Sequence, residues 1–320
     1  MQMIDLHCDT ISKLYNKSGK GKTLLENPYS VDVKRLEKAE GMIQCFSTFF
    51  FTGLIPGIIR EEMAFGMADR RIDFFKKSKK LCEGRLREIK GPEDVYACME
   101  DGKVGGLLTL EDGVPIGNSL KKLNYFYRKG IRLITLTWNY ENALGYPNSR
   151  DAASMEKGLK AFGFQAVEEM NRLGILVDVS HLSDGGFWDV VKTSKKPFIA
   201  SHSNARAVTE HPRNLSDEMI RAIAEKGGVI GLNFCPAFLG ADQKSRISHM
   251  LRHIKHLYQV GGEEVLAIGT DFDGISDPLE IDSCDKMELL YHALQKHHMP
   301  ERIIEKMWNG NALRVLFDVL

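Results

Sequence analysis

The sequence lacks a charge imbalance, a long apolar run and paired cysteines. Its 43 lysines and arginines balance 43 aspartates and glutamates, so the formal net charge at pH 7 is +0. No overall electrostatic field therefore attracts nucleic acid or an anionic membrane. No apolar run reaches about 18 residues, and no basic segment followed by an apolar core opens the chain, so neither a membrane span nor an export signal is predicted. We expect a cytoplasmic protein with a small-molecule substrate.

The six cysteines are scattered along the chain, and no two of them form a CxxC pair. This spacing argues against a thiolate zinc site and against the disulfide framework of a secreted protein. We predict that the cysteines are reduced and mostly buried, where they act as small apolar residues. Cys8 lies between two polar residues but points to the opposite side of its strand, so we expect it to pack.

Eight short apolar stretches alternate with segments that are long enough to return as helices. The stretches cover residues 3–9, 42–50, 104–111, 131–137, 175–180, 198–202, 229–234 and 265–272. Nearly continuous apolar strands separated by helices indicate a parallel sheet, and eight such units predict an α/β fold of the (β/α)8 TIM-barrel type. No low-complexity linker divides the chain, so residues 1–320 are predicted to form one barrel domain.

Helical periodicity lies between the strands. It is predicted for residues 60–86, 155–174, 216–228 and 240–262. Ser216 is a plausible N-cap, and Gly227 ends that helix. His249, His253 and His256 have a spacing that can bind metal on one helix face. Because lysine and arginine are interleaved and no carboxylate lies within the pattern, we expect a solvated face instead.

Polar side chains stand where predicted strands end. They are His7, Asp9, Glu111, His181, His202 and Asp271. The carboxyl ends of parallel barrel strands lie on one face, so these scattered residues converge on one rim. His7 and Asp9 are two apart in a strand and project together. Burying such groups costs several kcal/mol for each unpaired ion, a cost that a divalent metal would offset.

The donor set indicates which metal would bind. Histidine nitrogens and carboxylate oxygens without sulfur suit Zn²⁺ or a neighbouring first-row ion better than Ca²⁺ or Mg²⁺. Five ligands are too many for one catalytic zinc with an open position, so we predict two ions. His7, Asp9 and Glu111 would hold one, and Glu111, His181 and His202 the other. A water or hydroxide would bridge ions about 3.5 to 4 Å apart, which lower its pKa and polarise a substrate carbonyl.

Seven motifs extend over nearly the whole chain. They are DLHCD near the start, LEDG at 110–113, RLITLTWNYENALG at 132–145, DVSHLS at 178–183, SHSNAR at 201–206, HPRNLSDEM at 211–219 and GTDFDG at 269–274. Their joint order and spacing resemble the membrane dipeptidase (renal dipeptidase) family, peptidase family M19 of the amidohydrolase superfamily. The resemblance implies a barrel with two zinc ions that hydrolyses dipeptides, and it suggests a homodimer.

The resemblance implies the same division of metal ligands and adds roles for two further residues. Arg213, in HPRN, would receive the free carboxylate of a dipeptide, which matches its planar guanidinium. Asp271 would accept a proton from the attacking water and pass it to the leaving amine. Asp273 would brace the loop toward Gly274.

One position departs from the family pattern. Vertebrate members carry a histidine after the fourth strand that is thought to bind substrate or the oxyanion, and this chain has Trp138 there. Indole donates one hydrogen bond but cannot take up a proton. Either Trp138 donates from its ring N–H, Asn139 takes over, or the substrate preference differs. An N-acyl amino acid, a lactone or a cyclic amide is therefore an alternative substrate, and a binding protein without catalysis is a third reading that the full ligand set disfavours.

Overall fold

The computed structural model describes residues 2–16, 23–240 and 243–320. Its strands are β1 (Met3–Cys8), β2 (Gly41–Ser47), β3 (Leu86–Glu88), β4 (Val104–Glu111), β5 (Ile131–Thr135), β6 (Leu176–Asp178), β7 (Ala200–Ser203), β8 (Ile230–Leu232) and β9 (Leu266–Ile268). Its α-helices are α1 (Thr10–Asn16), α2 (Val33–Lys38), α3 (Gly57–Lys80), α4 (Pro92–Asp101), α5 (Leu120–Lys129), α6 (Ala152–Met155), α7 (Ala161–Leu173), α8 (Asp184–Thr193), α9 (Asp217–Glu225), α10 (Pro236–Leu239), α11 (Ile247–Gly261), α12 (Glu288–Lys296), α13 (Glu301–Glu305) and α14 (Asn311–Val319).

The strands form one parallel sheet that is nearly closed. Neighbouring strands follow the order β6-β5-β4-β2-β1-β9-β8-β7. Asp178, the last residue of β6, forms a parallel bridge with Ile199, which directly precedes β7. Eight strands therefore surround a common axis with helices outside them, and the predicted (β/α)8 barrel is confirmed. None of the described helices is both long and apolar enough to cross a membrane.

The strand β3 lies outside this ring and is not predicted from the sequence. It pairs with the first residues of β4, whereas β5 pairs with the last residues of β4 on the way to the mouth. Three residues that include the charged Arg87 and Glu88 are too few to show strand periodicity. The predicted strand at 265–272 also differs, since β9 ends earlier and the chain then turns toward the barrel mouth.

The amino-terminal end of the barrel is closed by α14. Val315 and Leu316 of this helix are buried in the same apolar cluster as Ile4 of β1 and Leu107 of β4, which lie inside the ring of strands. The helix is also tied to segments that precede strands: Lys196 Nζ, before β7, donates to the carbonyl oxygen of Val319 at 2.8 Å. The interior is therefore packed from below, and the cavity lies at the opposite end.

The helix predicted over 155–174 begins later than expected, because α7 starts at Ala161 and α6 ends at Met155. In the intervening residues, the Leu159 N–H donates to Asp189 Oδ2 at 2.9 Å. The Lys160 N–H donates to the carbonyl oxygen of Leu144 at 2.8 Å. These tertiary hydrogen bonds replace the helical ones, a competition that periodicity does not reveal.

The other helix predictions are supported. Ser216 Oγ accepts from the Met219 N–H at 3.4 Å as the N-cap of α9. Gly227 follows that helix with φ +71°. α3 occupies most of 60–86, and α11 provides the helix predicted within 240–262, of which residues 241 and 242 lie outside the described part of the chain.

The expectation of a solvated histidine face on α11 is wrong for His253. This residue is 0% exposed. Its Nδ1 accepts from the Ala205 N–H at 3.2 Å, and its Nε2 lies 3.1 Å from the carbonyl oxygen of Leu239, to which it donates. His256 Nε2 contacts Asp217 Oδ1 at 2.7 Å. His253 therefore joins α11 to the loop after β7, and burial lowers its pKa to about 4.

We expect protonation of His253 to destabilise the fold in mild acid. Its folded-state pKa of about 4 lies below the ordinary 6.5, so the unfolded chain takes up the proton first. The stabilising contribution is complete above about pH 6.5 and is lost as the pH falls toward 4, by roughly 3 kcal/mol in total. Urea unfolding at about pH 7 and about pH 4.5 should show a smaller loss of stability for His253→Gln than for the wild type. Exposed His292→Gln is the control, and equal pH dependence in all three proteins would contradict this prediction.

Candidate metal centre

The six predicted polar residues lie at the carboxyl ends of the barrel strands. His7 and His202 lie within β1 and β7, and Glu111 is the last residue of β4. His181 and Asp271 follow β6 and β9 with left-handed backbone angles, φ +68° and +61°. Such angles are strained for residues other than glycine, and they collect at functional sites. The turns at this rim aim side chains inward at a conformational cost.

Glu111 lies at the middle of the group. Its Oε2 is 3.3 Å from His7 Nε2, and its Oε1 is 3.2 Å from His181 Nε2 and 3.8 Å from His202 Nε2. Ser47 Oγ donates to Oε2 at 3.2 Å. Each carboxylate oxygen thus faces a different set of imidazoles, which is the arrangement that a shared ligand requires.

Within the described part of the chain, two sets of three donors are compact enough to hold an ion. The ligand atoms of His7, Glu111 and His202 lie within 4.8 Å of one another, as do those of His7, Asp9 and Asp271. His7 Nε2 is 3.5 Å from Asp9 Oδ2 and 3.9 Å from Asp271 Oδ1. His7 belongs to both sets, and neither set coincides with one of the two ligand groups predicted from the ligand count. Asp271, the predicted proton carrier, lies close enough to His7 to belong to one of these sets.

The Nδ1 atoms of His181 and His202 each form a hydrogen bond, and the two Nε2 atoms face each other. His181 Nδ1 donates to Asn139 Oδ1 at 3.1 Å, since an amide oxygen only accepts. His202 Nδ1 donates to Ser201 Oγ at 2.7 Å, because that hydroxyl itself donates to Asp178 Oδ2 at 2.6 Å. The two Nε2 atoms lie 3.0 Å apart. Hydrogen bonds of this kind orient metal-binding histidines.

Ser201 and Asp178 were not predicted as functional residues. Both lie beside predicted ligands within the motifs SHS and DVS. Asp178 is fully buried, and its Oδ1 also accepts from the Ser180 and Ser201 N–H groups at 3.0 and 2.8 Å. A buried acidic residue next to a ligand motif is the signal that could have indicated this supporting network.

Buried polar atoms without hydrogen-bond partners fit a cation at this centre. Among the described residues, His7 Nδ1 and Asp9 Oδ1 have no hydrogen-bond partner. Leaving such groups unpaired inside a protein is costly. Imidazole nitrogens and carboxylate oxygens are the donors that Zn²⁺ and its neighbours bind. The residues present therefore fit a divalent metal.

The electrostatics also favour positive charge between the carboxylates. Burial by itself lowers the pKa of His7, but Glu111 and Asp9 outweigh it and raise that pKa well above its ordinary value. Burial raises the pKa of Asp9. Burial and the positive Arg213 lower the pKa of His181 to about 4, so this imidazole stays neutral, as a ligand must.

The two aspartates of GTDFDG have different surroundings. Asp271 Oδ2 accepts from Asn233 Nδ2 at 3.1 Å, and burial raises the pKa of Asp271 to about 7. Asp273 instead accepts from Thr10 Oγ1 at 2.5 Å and from Lys13 Nζ at 3.3 Å. Asp273 therefore ties its loop to α1, which agrees with the predicted bracing role.

Arg213 lies beside the centre in a cavity of about 470 Å³. Its side chain is buried, and Nη2 donates to the carbonyl oxygen of His202 at 3.3 Å. Among the described residues, Nε has no hydrogen-bond partner. The guanidinium also lies 5.3 Å from the ring centroid of Phe238. Burial lowers the pKa of this guanidinium, whereas Asp271, Asp178 and Glu111 act on its charge from a distance and raise that pKa. A buried guanidinium that makes no direct contact with a carboxylate of the described residues fits a ligand that carries one.

Trp138 lines the same cavity as Arg213. Its ring centroid lies 6.2 Å from that of His181 and 4.9 Å from that of Phe49. Asn139, the neighbour considered as a substitute for the missing histidine, already accepts from His181. The structure thus places Trp138 at the wall beside the centre, and its role in substrate binding stays a prediction.

Comparisons with known proteins agree with this arrangement. The sequence pattern of the membrane dipeptidase family (peptidase family M19) matches residues 1–319. A protein of Klebsiella pneumoniae, described as uncharacterized and in the pqqA 5′ region, is 35% identical over 246 residues, which cover 74% of this chain and 90% of that protein. The uncharacterized dipeptidase C965.12 of Schizosaccharomyces pombe is 34% identical over 237 residues, which are 72% of this chain but 57% of that protein.

The solved structures include a similar barrel over the full length. A metallo peptidase from Rhodobacter sphaeroides, crystallised with a phosphinate mimic of the dipeptide L-Ala-D-Ala, is 26% identical with a TM-score of 0.90. The match covers 100% of this chain and 99% of that one.

Proposed function

Because the chain belongs to the membrane dipeptidase family, peptidase family M19, we propose that it hydrolyses dipeptides that carry a free carboxylate, using two Zn²⁺ ions. Family and fold support dipeptide hydrolysis by a metal enzyme. The observation that carries the count of two is Glu111, whose oxygens face His7 on one side and His181 on the other.

We assign the metal ligands to two ions in the same two groups that the sequence predicts. His7, Asp9 and Glu111 would hold one ion, and Glu111, His181 and His202 the other. When bound, the pair would activate a bridging water as the nucleophile and polarise the substrate carbonyl.

The chain's own residues supply binding and proton transfer. Arg213 binds the substrate carboxylate through a charge-assisted pair, which holds the peptide bond over the centre. Asp271 lies next to the predicted ligands, where it can take a proton from the attacking water and deliver it to the leaving amine. Ser201 and Asn139 keep the two histidines in the required orientation.

A second candidate function uses the same metal centre on a substrate with a different acyl group. The apolar contact between Trp138 and Phe49 at the cavity wall suits an N-acyl amino acid, which would present the same carboxylate to Arg213. Lactones and cyclic amides belong to the same alternative. Turnover of N-acyl amino acids together with failure on dipeptides would favour it.

Metal removal tests the proposed function directly. Dialysis against a chelator should lower kcat/KM for dipeptides by at least about 1,000-fold, because the nucleophile is no longer activated. Zn²⁺ should restore activity at two ions per chain by elemental analysis, while Mg²⁺ should not, since the site offers imidazole nitrogens. Full activity in metal-free protein would refute the proposal.

We also propose that residues 1–320 form one barrel domain, and that the protein is cytoplasmic and a homodimer.

A further inference from the structure

Four aromatic rings form a continuous surface that begins at the metal centre and runs out of the cavity. We call this surface, made of Phe49, Phe51, Trp138 and Tyr140, the aromatic wall. The ring centroid of Trp138 lies 4.9 Å from that of Phe49, 5.9 Å from that of Phe51 and 5.9 Å from that of Tyr140. The rings of Phe51 and Tyr140 lie 6.0 Å apart. The wall comes from two separate loops, which follow β2 and β5.

The two loops are held together, so the wall is in place before any ligand binds. Arg60 Nε donates to Thr52 Oγ1 at 3.1 Å, and its Nη1 donates to the carbonyl oxygen of Glu141 at 2.9 Å. Its guanidinium lies 5.7 Å from the ring centroid of Tyr140. A Cβ on Gly53 would lie 2.5 Å from that ring, so only glycine permits this approach. Preorganised contacts cost less when a ligand is bound.

The outer rings expose apolar surface that the barrel core does not use. Phe51 is 45% exposed and Tyr140 is 40% exposed. Phe49 and Trp138 line the cavity itself. An apolar group that stacks on these rings is removed from water, and aromatic pairs add a preferred geometry to that gain.

The aromatic wall and Arg213 occupy opposite halves of the mouth. Around the ring the strands run β1, β2, β4, β5, β6, β7, β8 and β9. The loops after β2 and β5 therefore face those after β7 and β8, which carry Arg213 and Phe238. A dipeptide whose carboxylate binds Arg213, with its peptide bond at the metal centre, directs its N-terminal residue toward the aromatic wall.

On this basis we infer that the aromatic wall receives the N-terminal side chain of the substrate and selects large apolar side chains, aromatic or branched aliphatic. The inference rests on the proposed dipeptidase function. Acidic N-terminal side chains should be disfavoured, because the rings carry no positive charge and Asp277 also lines the cavity. The histidine-to-tryptophan departure at position 138 would then change substrate range rather than the reaction.

Three dipeptides test the inference on the zinc-loaded enzyme: Phe-Ala, Ala-Phe and Ala-Ala. We expect kcat/KM for Phe-Ala to exceed that for Ala-Ala by about tenfold or more, a range typical of apolar pockets. Trp138→Ala should reduce this ratio by about tenfold, whereas Trp138→Phe should keep most of it, since stacking and not the indole N–H selects. Phe51→Ala removes an exposed ring without disturbing the core, and it should reduce the ratio in the same direction.

Trp188→Ala is the matched control, because Trp188 is exposed on α8 and lies outside the cavity. It should leave the ratio unchanged. Equal kcat/KM for Phe-Ala and Ala-Ala in the wild type, or a Trp138→Ala loss that is equal for both, would overturn the inference alone. A preference confined to Ala-Phe would overturn the assignment of the N-terminal side. No turnover of any dipeptide would overturn the proposed function and this inference with it.

Discussion

Glu111→Gln is expected to abolish dipeptide hydrolysis and to lower bound zinc from two ions to fewer than one per chain. The two carboxylate oxygens of Glu111 face His7 and His181 at 3.3 and 3.2 Å. An amide has one acceptor oxygen and no charge, so it can neither bridge nor neutralise two cations. We expect kcat/KM to fall by at least about 1,000-fold, a typical effect of losing an essential electrostatic group.

The fold should survive this substitution, because a buried neutral amide costs less to desolvate than a buried carboxylate. Elemental analysis and circular dichroism on the same preparation separate loss of metal from loss of structure. Glu100→Gln, exposed on α4, is the matched control and should keep two ions and full activity. Retention of two ions in Glu111→Gln would refute the shared-ligand proposal.

Arg213→Met is expected to raise KM for free dipeptides by about 100-fold while kcat falls less. A charge-assisted guanidinium–carboxylate pair in a buried site is worth roughly 3 kcal/mol, which corresponds to this factor. The guanidinium is buried, and its Nε has no hydrogen-bond partner among the described residues. Methionine fills a similar apolar volume beside Phe238 and leaves no unpaired charge.

Arg213 should also make the enzyme prefer free dipeptides to dipeptide amides. Wild-type enzyme should hydrolyse dipeptide amides about 100-fold less efficiently than free dipeptides, and Arg213→Met should remove most of that difference. Arg172→Met provides the control, since its side chain is 64% exposed and pairs with Glu169 on α7. Undiminished hydrolysis of amides by the wild type would show that Arg213 has another role.

The barrel was predictable because its strands carry the signal that burial on both faces produces. Runs such as residues 104–111 are apolar almost throughout, and each is followed by a helical segment. β3 escaped prediction because three residues with a charged centre have no detectable period. His253 differs from its prediction for a related reason: charged neighbours suggested a solvated helix face, but Ala205 in the loop after β7 and Leu239 in α10 cover that face and bond the two imidazole nitrogens.

The candidate site was predictable only in part. Histidines and carboxylates at the ends of parallel strands must share one rim, so topology alone brings His7, Glu111 and His202 together. Ser201 and Asn139 could not be identified in this way, because their function depends on which imidazole nitrogen they contact. Arg213 lies in a loop beyond β7, and only the resemblance to a family indicated it.

The closure of one end of the barrel by α14 affects how substrate enters and how products leave. Since Val315 and Leu316 pack beneath the strands, the described structure offers substrate and both released amino acids the same opening. The departing C-terminal amino acid carries the carboxylate that we propose Arg213 to bind, so it would compete with the next dipeptide for that guanidinium. Accumulating product would thus slow the enzyme as a reaction proceeds. Because α14 closes the far end of the barrel, the mouth would be cleared only as fast as product leaves through it.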